Sequence, residues 1–418
     1  MLVKIYFLTT VICCCTVLAQ DLPPNIAGVI ADIFNPNATT TTTTSRPIVT
    51  RRPGIGDIVT SEPIAPTLEP QILKTDDGIK CTCVPYYLCK PGDNTLRDDG
   101  EIDGFGKIDI RFDPYSCQHY LDICCIDNRT VSEPINPVPV EKRPNQPTGC
   151  GIRNPNVDFQ ITGNNDNEAN FGELPWTVAL LKTDTEEYFC AGSLIHPQVV
   201  LTAAHCVRKY GPNQFKVRAG EWDSQTTRER LPFQELNAQE IIIHPSFNPK
   251  TVANDFALVV VSQPFVLADH INVVCLPAPN IFPASGETCL SSGWGRDKFG
   301  SAGKYSVIMK KVPLPVVDFE QCQSSFRSAR LGKYFILDPS FICAGGQQGV
   351  DTCTGDGGGP LVCSADASEN RYYQSGIVAW GLGCNDPIPG AYASVALGRN
   401  WIDEEMNRLG FGVASYSY

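Results

Sequence analysis

The polarity pattern changes texture several times along the chain. From Cys150 onward, short runs rich in Val, Ile and Leu (TVALL, VVLTAAHC, ALVVVSQPF, SGIVAWG) alternate with Gly, Asn, Asp and Pro turns. That cadence predicts an all-β region, and its length suits a double β-barrel. One helix is predicted around residues 399–409, with Trp401, Ile402 and Met406 on one face and Gly410 at its stop. Upstream, residues 128–149 (NRTVSEPINPVPVEKRPNQPTG) hold five prolines and no aromatic residue, and read as a semi-extended linker. Residues 79–127 hold Cys81, Cys83, Cys89, Cys117, Cys124 and Cys125, enough to staple a domain too small for a proper core. Residues 20–78 are poor in aromatics and rich in Pro and Thr, with threonine throughout 39–44. Such a segment buries too little apolar surface to offset its ordering entropy, so it reads as a disordered stalk. Near its start, NIAGVIADIF has the spacing of a short amphipathic helix: either a weakly ordered tail or a partner-docking segment.

Composition narrows the class. Residues 1–19 carry Lys4 and then an apolar run shorter than a membrane span, ending in Val17-Leu18-Ala19, which reads as a cleaved signal peptide. Three of the 19 cysteines lie in that leader. The remaining sixteen, in an oxidising destination, predict a disulfide framework. The net charge of −12 gives no electrostatic reason to bind nucleic acid or an anionic membrane. His119, His196, His205, His244 and His270 show no zinc-type pairing. Asn37 and Asn128 begin N-glycosylation acceptors.

Three motifs carry chemistry: TAAHC at 202–206, NDFAL at 254–258 and GDGGGP at 355–360. His, Asp and the GD-x-GG loop stand in the order of chymotrypsin-like serine proteases, and GELPW (172–176), SGWG (292–295) and GIVAWG (376–381) strengthen the resemblance over residues 150–418. It implies the bridges Cys150–Cys275, Cys190–Cys206, Cys289–Cys363, Cys322–Cys343 and Cys353–Cys384. For the upstream cluster, spacing alone leaves fifteen connectivities open. That cluster resembles the clip domain of arthropod proteases, which implies Cys81–Cys124, Cys83–Cys117 and Cys89–Cys125. The long interval before Cys117 includes acidic DDGEIDGFG, a binding surface or a solvated excursion.

In such proteases a serine attacks the carbonyl, a histidine takes its proton and an aspartate holds the imidazole tautomer. His205 and Asp255 match the last two roles; Gly357 stands where the nucleophile belongs, and it has no side chain to activate. Thr354 and Ser364 lie nearby in sequence but not at that position. Two further departures follow from the resemblance. The matching N-terminus, Ile161-Thr162-Gly163-Asn164, is preceded by Gln160, so a trypsin-like activator has no basic residue to cut and Asp356 lacks its free-amine partner. Ala379 replaces the usual serine before Trp-Gly. Asp351 falls at the base of the specificity pocket, and Gly381 and Gly390 at its walls: a pocket for a basic side chain, or an idle inheritance. Glu221 and Glu235 bracket an acidic stretch that binds calcium in related proteases, or is simply a solvated loop.

The whole resembles a clip-domain serine protease homolog of the prophenoloxidase-activating-factor type. This implies a secreted haemolymph cofactor in melanisation. It would be processed by an upstream clip protease, self-associate, require no cofactor, and present prophenoloxidase to its activating protease. Arg97, Arg111, Arg143 and Arg153 are the basic candidates for processing. An active trypsin-like endopeptidase is disfavoured by Gly357. A decoy, microbial pattern receptor or adhesion protein is the competing binding role.

Overall fold

The computed structural model describes residues 71–74, 80–85, 107–109, 122–125, 149–154, 160–162, 167–227, 229–295, 305–347, 356–366, 370–383 and 387–418. They fall into two compact units. The smaller has a three-stranded antiparallel sheet in the order β1 (Ile72–Lys74), β2 (Lys80–Pro85), β4 (Asp122–Cys125). In it Cys83, buried and disulfide-bonded, stands opposite Cys124. Cys89 and Cys117 lie outside the described residues, as do Asn37 and Asn128. The same unit contains a parallel pair, β3 (Lys107–Asp109) with β5 (Gln160–Thr162), in which Ile108 registers with Ile161. Gln160–Thr162 thus cluster with the cysteine-stapled unit rather than with the barrels that follow.

The larger unit is two closed six-stranded barrels. The first comprises β6 (Thr177–Lys182), β7 (Tyr188–His196), β8 (Val199–Thr202), β9 (Phe215–Ala219), β10 (Gln234–Ile243) and β11 (Ala257–Val261). The second comprises β12 (Thr288–Gly293), β13 (Lys310–Val317), β14 (Phe341–Gly345), β15 (Pro360–Asp366), β16 (Arg371–Trp380) and β17 (Pro389–Ser394). All of their pairings are antiparallel. The continuous apolar runs read in the sequence, ALVVV and VVLT, are buried at every position, as strands covered on both faces must be. Buried polar side chains stitch the barrels together: Thr177 Oγ1 lies 2.7 Å from Ser292 Oγ, and Ser193 Oγ donates to Gln374 Oε1. Each of these four residues is nearly inaccessible, so each bond satisfies a group that water cannot reach.

The closing helix spans Val395–Arg408, beginning four residues before the expected start; Gly410 at φ +80 terminates it as the sequence suggested. Ile402 and Met406 are fully buried on its inner face. Its Arg399 donates to the carbonyls of Leu276 and Pro277, in the connection between the barrels. Among the described residues of this unit four disulfides are formed: Cys150–Cys275, Cys190–Cys206, Cys289–Cys363 and Cys322–Cys343. Cys353 and Cys384 lie outside the described residues.

Candidate active-site cleft

The histidine sits on a short helix, Ala204–Val207, that leaves the end of β8. The aspartate immediately precedes β11, after a turn in which both Val252 and Asn254 have positive φ, 60° and 53°. A β-branched residue in that region is strained. Val252 is held there by its amide bond to Asn248 O and by burial at 2% exposure. The turn delivers Asp255, fully buried, to His205: Oδ1 accepts the His205 backbone N–H at 2.8 Å, and Oδ2 lies 2.6 Å from Nδ1. This orients Nε2 outward as the base.

What Nε2 faces is the backbone of Gly357. A β-carbon placed on Gly357 would lie 3.0 Å from Nε2, and 3.6 Å from Cys206 Sγ. The glycine is locked in place, its carbonyl accepting the Ala191 amide at 2.9 Å and the next amide, Gly358, donating to Val378 O. Asp356 Oδ1 accepts the Gly295 amide at 2.8 Å, and its carboxylate fills the space where side chains at Gly293 and Gly295 would stand. The motif SGWG is thus a cradle for Asp356. Ser364 lies along β15 and Thr354 outside the described residues. Dyad, loop and cradle assemble as in an acyl-transfer centre, without the hydroxyl.

The pocket residues meet a different fate. Asp351 lies outside the described residues. Ala379 and Trp380 are 2% and 7% exposed. The segment between Cys322 and Cys343 folds over them: Phe326 packs on the Trp380 indole at 4.6 Å between centroids, and Phe335 and Phe341 meet it edge-on. Leu331 and Val252 complete the cluster. The Arg330 guanidinium donates to Leu382 O, just past half-buried Gly381, and a β-carbon at Gly390 would crowd the Tyr392 ring at 3.2 Å. The segment between Cys322 and Cys343 thus shares one apolar cluster with Ala379 and Trp380.

The acidic stretch differs from the expected Glu221–Glu235 calcium pair. Arg218 forks between these two carboxylates, at 2.9 Å from Glu221 and 2.8 Å from Glu235, and Lys216 adds a contact to Glu235 at 2.7 Å. Arg218 and Lys216 together already pair both carboxylates, so this pair does not fit a calcium ion. The residue that shares buried space with Glu221 is Glu229, whose carboxyl is pushed up to about 8 by burial and then by the Glu221 charge. Glu229 belongs to the acidic stretch read in the sequence, where Arg228 and Arg230 interrupt the acids. A raised carboxyl favours the folded state while protonated. That stabilisation is complete below the unfolded value of 4.5 and is lost as the pH rises to about 8. Glu229→Gln is expected to flatten this fall and to gain on the order of 3 kcal/mol over the parent at pH 8. Urea unfolding at pH 5 and pH 8 in calcium-free buffer tests it; equal slopes for both proteins would contradict it.

Other clusters offer no metal site among the described residues. Cys190, His205 and Cys206 converge, as do Glu287, Cys289 and Cys363, but each cysteine is committed to a disulfide. Arg153 is equally committed. It forms a forked bond to Glu173 at 3.0 and 2.6 Å and reaches the Tyr372 hydroxyl at 3.1 Å. Arg153 is thus a poor processing site, because a protease subsite would have to strip it from a fully buried carboxylate. Arg97, Arg111 and Arg143 lie outside the described residues. No helix among the described residues is long and apolar enough to cross a membrane.

The family model described as Trypsin matches residues 163–402, and the one described as Serine protease Clip domain PPAF-2 matches residues 71–126. The chain is a clip-domain serine protease homolog. Among its relatives, phenoloxidase-activating factor 2 of Galleria mellonella is 48% identical over 70% of this chain and 100% of its own. Inactive CLIP domain-containing serine protease A8 of Anopheles gambiae is 36% identical over 77% of this chain and 87% of its own. Phenoloxidase-activating factor 3 of Holotrichia diomphalia is 30% identical over 79% and 93%. The homolog thus combines the trypsin barrels with a clip-type sheet. The formed dyad belongs to a trypsin-family domain.

Proposed function

We propose that the protein is a secreted, non-catalytic cofactor that brings prophenoloxidase to its activating clip protease in melanisation immunity. The observation that carries this reading is the missing side chain at Gly357, beside His205. The base is built and aimed, but Gly357 offers it no oxygen. In a comparable protease, loss of the nucleophile lowers turnover by about a million-fold. A rigid pair of barrels still presents a broad loop surface on which partners can be selected. Relatives named phenoloxidase-activating factors, and others named inactive, support the pathway and the absence of catalysis. In this reading residues 1–19 are the signal peptide, 20–78 a disordered stalk, 79–127 the clip domain, 128–149 a linker and 150–418 the protease-like domain. An upstream protease processes the chain at Arg97, Arg111 or Arg143. The processed protein circulates in haemolymph, glycosylated at Asn37 and Asn128, and self-associates. The test is reconstitution from prophenoloxidase, its activating protease and the processed protein. The expected result is strong enhancement of phenoloxidase activity, with no hydrolysis of an Arg-amide substrate by the protein itself. Enhancement absent at every ratio would replace this reading with a decoy, receptor or adhesion role.

A further inference from the structure

The loop covering Trp380 has a second face. Along residues 331–337 the side chains alternate: Leu331, Phe335 and Leu337 are buried, whereas Tyr334 and Ile336 are 66% and 76% exposed. These two are the most exposed large hydrophobics among the described residues, and they stand two positions apart. Lone exposed hydrophobics are ordinary, but a close pair on an anchored loop is not.

The anchoring is extensive. The Cys322–Cys343 bridge closes the segment, Asp318 caps its helix Phe319–Phe326, and Phe335 is wedged against Phe326 and Trp380. The Phe335 carbonyl accepts Arg327 Nε at 2.7 Å, and the Leu337 amide donates to Gln323 Oε1 at 3.0 Å. A loop fixed in this way loses little freedom on binding, and a protruding aromatic beside an aliphatic side chain is the composition of an interface anchor.

Charge indicates the occupant. Residues 327–337 (RSARLGKYFIL) contain Arg327, Arg330 and Lys333 and no acid, in a chain of net charge −12. Arg330 and Lys333 are exposed, and Lys333 Nζ lies 4.8 Å from the Tyr334 ring centre. The complement is in the same sequence: residues 98–105 (DDGEIDGF) hold Asp98, Asp99, Glu101 and Asp103 with Ile102 and Phe105 among them, and no base. We propose that the Tyr334–Ile336 loop of one molecule binds the acidic 98–105 segment of a second copy, carboxylates on its cations and Ile102 and Phe105 on its apolar pair. Two different surfaces meeting in this way form a head-to-tail contact, which propagates into larger assemblies unless it closes into a ring. The inference rests on the self-association in the reading above and assigns it a surface.

Sedimentation of the processed secreted protein tests it. Association is expected, weakening as salt rises because opposite charges meet. Replacing Tyr334 and Ile336 together by Ser is expected to weaken it at least about tenfold. Both side chains point to solvent, so circular dichroism should report an unchanged fold. Lys333→Glu should also weaken association, and adding Asp103→Lys in the same chain should recover much of the loss. A synthetic peptide of residues 95–106 should compete. Association indifferent to the Tyr334/Ile336 replacement and to the charge exchange overturns the proposal. So does a protein monomeric at all concentrations, including one that binds the peptide only after residues 98–105 are deleted, which would place the segment on its own loop. Loop-independent association with intact phenoloxidase enhancement removes this inference alone; loop-dependent association without enhancement removes the cofactor reading alone.

Discussion

Gly357→Ser is expected to produce no working endopeptidase. The variant should hydrolyse an Arg-amide substrate at less than about a thousandth of the rate of an active trypsin-like enzyme. The hydroxyl would arrive beside a finished dyad, which makes the single replacement look sufficient. Three features argue otherwise. The new β-carbon would lie 3.0 Å from His205 Nε2, closer than ordinary carbon–nitrogen packing, so the imidazole must retreat before a productive hydrogen bond forms. Active relatives organise the oxyanion hole with a free amine on the aspartate before the nucleophile. Here Ile161 lies within a continuous chain, inside strand β5, whose backbone is paired with β3. Ala379 also stands where active relatives carry a serine before Trp-Gly, so the aspartate of the dyad lacks that hydroxyl beside it. Electrostatic stabilisation of the oxyanion supplies much of the rate, and one hydroxyl does not restore it. Recovery of a few per cent of normal activity by this variant would contradict this expectation.

Glu173→Ala is expected to be the most destabilising single replacement considered, at about 3 kcal/mol. Glu173 is 0% exposed and sits within the GELPW motif. Its two oxygens accept Arg153, Lys311 at 2.9 and 2.7 Å, and the Asn170 amide at 2.8 Å. These bonds join the strand-like entry segment at Arg153, the turn before β6 and the start of β13. Truncation leaves two cations and a buried amide without their acceptor. About a fifth of each cationic side chain remains in water, which keeps the cost at the lower end of the range for a broken buried pair. Glu173→Gln should cost less, since an amide oxygen still accepts. Chemical denaturation measures both; equal, near-zero changes would mean that the cluster is only incidental to the fold.

Much of the site was legible in the sequence because it is encoded locally. TAAHC and NDFAL each specify a residue at a strand end, and barrel closure brings His205 to Asp255. GDGGGP reads directly as a loop whose third residue lacks a side chain. The buried strands were legible from their unbroken apolar runs. What was hidden depends on long-range packing. The segment between Cys322 and Cys343 has no clean period, since Leu331, Phe335 and Leu337 turn inward from an irregular path that includes a break at Ala329. Its position over Trp380 therefore could not be read from either piece. The Arg218 fork was hidden for the same reason: Glu221 and Glu235 are fourteen positions apart, and the strand pairing of β9 with β10 brings Arg218 opposite Glu235. The parallel register of β3 on β5 joins segments more than fifty residues apart and leaves no local mark.

We propose a protease fold that serves without its chemistry. The most direct measurement is the phenoloxidase reconstitution repeated with a His205→Ala variant. An acyl-transfer enzyme depends on that base, whereas a binding cofactor needs only the surface around it. Enhancement by His205→Ala is expected to equal that of the parent protein. Loss of enhancement in a variant that remains folded would contradict it, and would mean that the dyad still performs a step.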